Sequence, residues 1–134
     1  MSGSDNSAAP LKVMFDSNAY DAILAHGDGD RLRALVDAGR LVIVTTHVQE
    51  DELRRIADPA KRERLLALFH ALGGERIAPV DVIAGDTTYL SGDGKLAGVA
   101  LACCDVLVTD DAALAAACPA AIGYAAFAAR IGLH

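Results

Sequence analysis

Acidic residues stand at the ends of apolar segments at four points of this 134-residue chain. They are Asp16 at the end of KVMFD, the run Glu50, Asp51, Glu52 in TTHVQEDELRR, Asp93 in GDGKLAGVA, and Asp110 with Asp111 in LVTDD. Carboxylates that converge from separate segments repel one another, and burial raises the cost of ionising them together. A divalent cation removes that conflict, because Mg²⁺ or Mn²⁺ takes oxygen ligands and lowers the pKa of a bound water. The spacing therefore indicates a metal site that can turn water into a nucleophile.

Strands and helices alternate in a pattern that would position these acids. Apolar runs predict strands at residues 11–15, 41–44, 77–83, 105–109 and 120–124, with Pro79 placing the third strand at a sheet edge. Helices are predicted at residues 19–24, 31–38, 45–58, 61–72, 95–104, 111–117 and 125–131. This alternation is typical of right-handed βαβ units. We therefore predict an α/β fold, a three-layer α/β/α sandwich with a central parallel sheet of four or five strands.

Composition indicates the domain organisation and the compartment. Residues 1–10 are mostly Ser, Gly, Ala and Asn, which predicts a flexible N-terminal tail before a single domain at 11–134. Hydrophobic residues make up 53% of the chain and aromatic residues 4%, so we expect a core of Ala, Val, Leu and Ile. The odd number of cysteines, three, indicates reduced thiols, and the N-terminus lacks a secretory signal pattern. No apolar run approaches the roughly 20 residues of a membrane span, so we expect a cytoplasmic protein without a membrane partner.

The first and fourth predicted strands are the most apolar, which favours the centre of the sheet for both. Asp16 and Asp111 would then leave the sheet side by side at the edge where open α/β folds bind ligands. Each acid also has a simpler interpretation as a helix N-cap, and Asp93 shares it because it opens a helix. Ser17 and Asn18 could cap the first helix without Asp16, which favours a further role for its carboxylate.

Helix geometry separates the acids of the QEDEL stretch. Glu52 shares a helix face with the apolar Val48 and Ile56, whereas Glu50 is rotated about 160° away from Glu52. We therefore expect Glu52 to reach the sheet edge. Glu50 and Asp51 lie close enough in sequence to remain alternatives for this position.

The net charge of −6 argues against binding nucleic acid by bulk electrostatics. The segment 54–64 differs from the whole chain, because it holds five basic residues against two acidic ones. We predict that a basic surface in this segment guides a phosphate backbone toward the acids. The residues expected to form it are Arg54, Arg55, Lys61 and Arg62.

Together these motifs resemble the PIN-domain nucleases, which include the VapC-like toxins of toxin–antitoxin pairs. The likeness consists of FDSN, an acidic residue before leucine in the helix after the second strand, Asp93 opening LAGVALA, and LVTDD, in that order. The resemblance implies that four acids are catalytic residues and ligands of Mg²⁺ or Mn²⁺, namely Asp16, Glu52, Asp93 and Asp111. It assigns supporting positions to Asn18, Thr109, Asp110 and Glu50.

The implied activity is metal-dependent hydrolysis of RNA phosphodiester bonds. RNA would be the substrate, and an antitoxin protein and a second copy of the chain are the partners that the resemblance suggests. The alternative is a PIN-like domain that no longer cuts and serves as an RNA- or protein-binding module, which the acidic surface favours.

Other chemistries match the sequence less well. A response-regulator receiver requires a pair of acids early in the chain and a lysine after the last strand. The chain does not show a clear match to either feature. Cys103-Cys104 is not a Cys-x-x-Cys pair, and no glycine-rich phosphate motif follows a strand. His47 is the histidine nearest the acids, and we expect it to be structural.

Overall fold

The computed structural model describes residues 10–77, 100 and 104–133. Outside that part lie Asp93, the predicted tail except for residue 10, and most of the predicted strand at 77–83 and helix at 95–104. Within the described ranges, no helix is both long enough and apolar enough to span a bilayer.

Five strands and six helices make up the described part of the fold. In chain order they are β1 (Leu11–Phe15), α1 (Ser17–His26), α2 (Gly29–Asp37), β2 (Leu41–Thr45), α3 (His47–Arg54), α4 (Pro59–Leu72), β3 (Glu75–Arg76), β4 (Val106–Val108), α5 (Ala112–Ala117), β5 (Ala121–Ile122) and α6 (Tyr124–Ile131). The strands form one sheet in the order β3-β2-β1-β4-β5, and every pair is parallel. The predicted α/β fold with a parallel sheet is therefore confirmed, with β1 and β4 adjacent at its centre.

Alternate residues of β1 enter cores on opposite faces of the sheet. Val13 and Phe15 pack in a core with Tyr20 of α1 and Phe127 of α6. Met14 packs on the other face, in a core that includes Val48 of α3 and Leu114 of α5. Because successive side chains of a strand point to opposite faces, one strand contributes to both cores. This arrangement gives the three layers predicted from the sequence.

Local sequence signals explain where most helices begin and end. Asp16 and Asp111 cap α1 and α5, and Asp58 caps α4, where Pro59 occupies a first-turn position that needs no backbone donor. Gly27 ends α1 with a φ of 70°, a left-handed conformation that glycine adopts without strain. These signals agree with the predicted positions of α1, α4 and α5.

The structure corrects the start of the third strand. Its described residues are Glu75–Arg76, which pair with Val44 and Thr45, whereas the strand was predicted to begin at residue 77. Gly74, at a φ of 131°, turns the chain directly from α4 into the sheet, and a Cβ there would lie 2.5 Å from the carbonyl oxygen of Ile43. The close approach starts β3 immediately after the helix, and β3 is an outer strand among the described strands of the sheet.

Several helix boundaries also differ from the predictions by a few residues, including the starts of α1 at Ser17 and of α4 at Pro59, each two residues before the predicted start. The second helix begins at Gly29 with Asp28 as its N-cap, before the predicted start at residue 31. The third helix ends at Arg54, short of the predicted limit at 58, because the chain turns at Arg55 and Asp58 already caps the next helix. These corrections leave the order of elements unchanged.

Candidate functional site

Asp16 lies at the carboxyl end of the central strand β1 and is only 4% exposed. Its Oδ1 accepts a hydrogen bond from the backbone N–H of Ser17 at 2.8 Å. Its Oδ2 accepts from Asn18 Nδ2 at 3.0 Å and from Thr109 Oγ1 at 2.8 Å. The carboxylate is therefore both the N-cap of α1 and an acceptor for residues on either side of the β1–β4 seam.

Thr109 connects Asp16 to the acids that follow β4. Besides donating to Asp16, its hydroxyl oxygen accepts a hydrogen bond from the backbone N–H of Asp111 at 3.0 Å. Asn18 completes the link, because its Oδ1 accepts from the backbone N–H of Asp110 at 3.2 Å. The parallel pairing of Phe15 with Val108 explains this contact, since it places the next residue of each strand at the same edge.

Asp110 and Asp111 hold the elements that follow them. The Oδ1 of Asp111 accepts from the backbone N–H groups of Ala113 and Leu114 at 2.8 and 3.3 Å and so caps α5. The Oδ1 of Asp110 accepts from Tyr124 N–H at 3.2 Å, at the start of α6. Glycine at position 123 allows this approach, because a Cβ there would lie 2.9 Å from the same oxygen. Asp111 is therefore the N-cap of α5, as its simpler interpretation from the sequence predicted.

A cleft of about 170 Å³ is lined in part by Ser17 and Asn18, the two residues that follow Asp16 at this edge of the sheet. Its walls are Ser17, Asn18, Asp21, Glu52, Ile56, Lys61 and Leu65. Glu52 therefore lies in the same cleft as the two residues that follow Asp16 in the chain. Asp51, its neighbour on α3, is exposed. Of the acids in the QEDEL stretch, Glu52 is the one that lines the cleft.

Glu50 belongs to a separate cluster of charges. Its carboxylate accepts hydrogen bonds from Arg76 Nη1 and from Arg54 Nη2, both at 2.7 Å, and His70 Nε2 lies 3.6 Å away. The hydrogen bond from Arg76, and then that from Arg54, lowers the pKa of Glu50. Sequence spacing indicates the i, i+4 pair with Arg54, but Arg76 reaches Glu50 only because β3 lies beside α3.

The basic residues predicted to guide RNA have different surroundings. Lys61 Nζ lies 3.3 Å from Asp21 Oδ1, and both residues line the cleft. Arg54 is paired with Glu50, and Arg62 Nη1 donates to the carbonyl oxygen of Ile56 at 2.9 Å. Arg55 is exposed at the end of α3. Lys61 is thus the predicted RNA-binding residue that borders the cleft.

The sequence-based prediction of the site did not include Gln49, which is completely buried. Its Nε2 donates to the carbonyl oxygen of Phe15 at 3.2 Å, one residue before Asp16. Its Oε1 accepts from the backbone N–H of Thr46 at 2.8 Å, completing the capping box of α3. The Thr-x-x-Gln pattern indicates the capping box, but not that the amide also attaches α3 to the end of β1.

The donor set agrees with a hard cation in its chemistry, because Asp16, Glu52 and Asp111 offer only carboxylate oxygens. Across residues 10–77, 100 and 104–133, however, no three His, Cys, Asp or Glu side chains form a group that could hold a metal. The fourth predicted ligand, Asp93, lies outside the described residues. The described acids alone therefore do not complete a metal site.

Comparisons with known proteins bear on the fold. No protein-family model matches the chain, and no curated protein matches it. The crystal structure of PAE2754 from Pyrobaculum aerophilum is similar, with a TM-score of 0.61 and 21% sequence identity. The similarity covers 96% of this chain and 95% of that one. At this level of identity the likeness supports the α/β architecture over nearly the full length.

Proposed function

We propose that the chain is a metal-dependent ribonuclease that hydrolyses phosphodiester bonds at the carboxyl end of β1, as in the PIN-domain nucleases it resembles. One observation carries the proposal. The buried carboxylate of Asp16 is held by Asn18 and Thr109 next to a cleft whose wall contains Glu52. A fixed acidic group beside an open cleft allows a substrate to bind at the place where the reaction occurs.

Each residue of the site has a distinct part in this proposal. Asp16, Glu52 and Asp111, with Asp93 outside the described residues, would hold Mg²⁺ or Mn²⁺. When bound, such an ion supplies positive charge against the phosphate and makes a water more acidic. Asn18 and Thr109 support the site by hydrogen bonds to Asp16. Asp110 supports it indirectly, because its backbone N–H donates to Asn18. Glu50, in contrast, has a stabilising role in its cluster of charges.

The RNA backbone would enter along the basic side of the cleft. Lys61 is the best placed cation, since it lines the cleft with Glu52 and its ion pair within the described part of the chain is the largely exposed one with Asp21. An exposed pair of this kind contributes little to stability, so a phosphate can replace the carboxylate at low cost. Arg54, Arg55 and Arg62 would act at a greater distance along the bound strand.

A cleavage assay on labelled single-stranded RNA tests the proposal. The full chain is expected to cut in Mg²⁺ or Mn²⁺ and to stop cutting in excess EDTA. Asp16→Asn and Glu52→Gln should each lower the rate by about tenfold or more, because each removes a charged ligand from the proposed site. Asp51→Asn is the matched control, since it makes the same charge change at an exposed position of α3.

Two results would contradict this proposal. Cleavage that continues in EDTA would exclude a metal-dependent reaction. Cleavage by folded Asp16→Asn at the rate of the unaltered chain would remove the central acid from the chemistry. Loss of activity in Glu50→Gln with activity retained in Glu52→Gln would instead move the second acid to the other face of α3.

The second candidate is a binding module that retains the fold without cutting RNA. The observation that favours it is that Asp16 and Asp111 both act as N-caps, while the described residues contain no complete group of metal ligands. RNA that is retained in a filter-binding experiment and recovered intact in Mn²⁺ would support this candidate. An antitoxin protein and a homodimer are further predictions from the family resemblance, testable by co-purification and by sedimentation.

A further inference from the structure

A groove with an aliphatic floor and arginines along its rim lies at the end of the sheet opposite Asp16. Two adjoining concavities form it, with volumes of about 280 and 360 Å³, and they share Leu35, Arg40 and Ile131. We call it the arginine groove; its floor is Leu11, Leu35, Leu41 and Ile131, and its rim is Arg31, Arg40 and Arg130. Since a strand rises about 3.3 Å per residue, β1 separates this groove from Asp16 by roughly 16 Å.

The walls of the groove are fixed by backbone contacts. Arg31 Nη1 donates to the carbonyl oxygen of Leu133 at 2.8 Å and so joins the start of α2 to the chain after α6. The backbone N–H of Arg40 donates to Leu35 O at 2.9 Å, and its carbonyl accepts from Leu11 N–H at 3.1 Å. A concave surface held in this way loses little conformational entropy when it binds a partner.

The charge of the groove is opposite to that of the whole chain. The chain has a net charge of −6, yet among the described residues that line the two concavities there is no aspartate or glutamate. Among the described residues, the side chains of Arg40 and Arg130 form no hydrogen bond or ion pair. Arg130 also lies in the last turn of α6, where a cation interacts favourably with the helix dipole. Arg40 lies between α2 and β2, outside any helix, so a helix dipole does not account for its charge at this position.

We propose that the arginine groove binds an acidic peptide segment whose aliphatic side chains cover the floor and whose carboxylates pair with Arg40 and Arg130. An amphipathic helix with leucines at i, i+3 and i+4 has the shape and chemistry for such a groove. Aliphatic contacts would supply affinity, while the carboxylates would select and orient the partner.

Other occupants match the groove less well. RNA binding without paired bases relies on aromatic side chains for stacking, and the floor has none. A second copy related by a twofold axis would bring Arg40 and Arg130 toward the same arginines, which is repulsive. The chain's own residues 1–9 contain one acid, Asp5, and no leucine, isoleucine or valine, so their composition does not match the floor either.

Fluorescence anisotropy with the full chain tests this inference. The probe is a fluorescein-labelled peptide that repeats Leu-Glu-Glu-Leu-Leu-Glu-Glu. The expected result is saturable binding that weakens roughly fivefold or more when Arg40 and Arg130 are both replaced by glutamate. Arg64→Glu, an exposed charge reversal on α4, is the matched control and should leave the affinity unchanged. Ala34→Glu, at an exposed position of α2 that lines the groove, should block binding without removing any core packing.

Two further peptides test whether charge alone explains binding or whether aliphatic contacts are needed as well. A peptide with serine in place of every leucine should bind much more weakly, and a peptide with lysine in place of every glutamate should not bind. Equal binding of the serine peptide would overturn the proposal, because charge alone would then explain the interaction. Absence of binding by the leucine–glutamate peptide, or its displacement from the groove by single-stranded RNA, would overturn it as well.

Discussion

Thr109 donates a hydrogen bond from its hydroxyl to the buried carboxylate of Asp16 at 2.8 Å, across the seam between the parallel strands β4 and β1. The two residues are 93 positions apart in the chain. Because the same hydroxyl accepts from Asp111 N–H, it connects the first acid of the proposed site to the last. An uncharged side chain therefore helps to set the geometry of the site, together with Asn18.

Thr109→Val tests this connection, since valine keeps the shape of threonine and removes its hydroxyl. We expect a loss of about 1–3 kcal/mol in the free energy of unfolding, because a bond to a buried carboxylate and an acceptor for Asp111 N–H disappear together. Chemical denaturation measures it. Thr109→Ser is the control, because it keeps the hydroxyl and loses only a methyl group, at a cost of about 0.8 kcal/mol. If serine costs as much as valine, packing of the methyl group and not the hydrogen bond determines the stability.

The two buried tyrosines on one face of the sheet provide a matched pair for a second prediction. Tyr124 Oη donates to Asp28 Oδ2 at 2.5 Å, whereas the hydroxyl of Tyr20 has no hydrogen-bond partner among the described residues. Tyr124→Phe should therefore lower the free energy of unfolding by about 1–3 kcal/mol. Tyr20→Phe should leave it unchanged or raise it slightly, because it removes a buried polar atom that pairs with nothing in the described part. Denaturant titration at pH 7 compares them, and equal losses in both variants would contradict this assignment.

The same pair predicts how stability changes in alkali. Burial raises the pKa of Tyr20 above its ordinary value of 10.0, and burial followed by the hydrogen bond to Asp28 does so for Tyr124. The unfolded chain therefore releases these protons near pH 10, while the folded chain keeps them. The stability that these two protonated tyrosines contribute is therefore complete below pH 10, and it is lost as the pH rises through their higher pKa values in the folded state. Tyr20→Phe should make the decline above pH 10 less steep.

Sequence patterns predicted the elements of the fold better than the contacts between them. The strand at Leu11–Phe15 and the caps Asp16 and Asp111 follow from residues within one turn of one another, so local rules recover them. The start of β3 was wrong because Gly74 turns the chain against Ile43, a contact between elements that are distant in sequence. Long-range pairing of this kind has no periodic signature.

The predicted site shows the same division between local and long-range information. Helix periodicity distinguished Glu52 from Glu50, and Glu52 does line the cleft. The hydrogen bond from Gln49 to Phe15 O was missed, because a buried glutamine on a helix looks like any polar residue until the neighbouring strand is placed. The contact of Arg76 with Glu50 was missed for the same physical reason.

Glu50→Gln should destabilise the protein in a manner that depends on pH. The hydrogen bonds from Arg76 and Arg54 hold the pKa of Glu50 below its ordinary value of 4.5. A carboxyl group with a lowered pKa in the folded state stabilises the fold above the unfolded pKa, and this contribution is lost as the pH falls through the folded pKa. The unaltered chain should therefore be more stable than Glu50→Gln at pH 7, and the difference should shrink below pH 4.5.

Thermal melting at several pH values checks this dependence. Asp51→Asn, at the adjacent and exposed position of α3, is the control and should show a small difference that does not depend on the same interactions. A difference for Glu50→Gln that stays constant down to pH 3 would mean that the loss of stability does not come from the charge of Glu50.

Asp16→Asn should separate the structural role of this residue from a role in metal binding. The carboxylate accepts from Ser17, Asn18 and Thr109, whereas an amide offers one acceptor oxygen and adds donors. Without metal, the variant should therefore lose about 1–3 kcal/mol of stability. This loss is expected whether or not the site binds a cation, so it serves as the baseline for the metal experiment.

The response of the melting temperature to Mg²⁺ or Mn²⁺ then isolates the metal. A ligand that binds only the folded state at a hundred times its Kd stabilises it by about 2.7 kcal/mol, which corresponds to a shift of several degrees in a domain of this size. We expect that shift in the unaltered chain and in Asp21→Asn, where an acid that lines the cleft is replaced. Asp16→Asn should show no shift, because an amide oxygen without charge weakens a site for a hard cation. An equal shift in Asp16→Asn and the unaltered chain would show that any bound ion is held elsewhere.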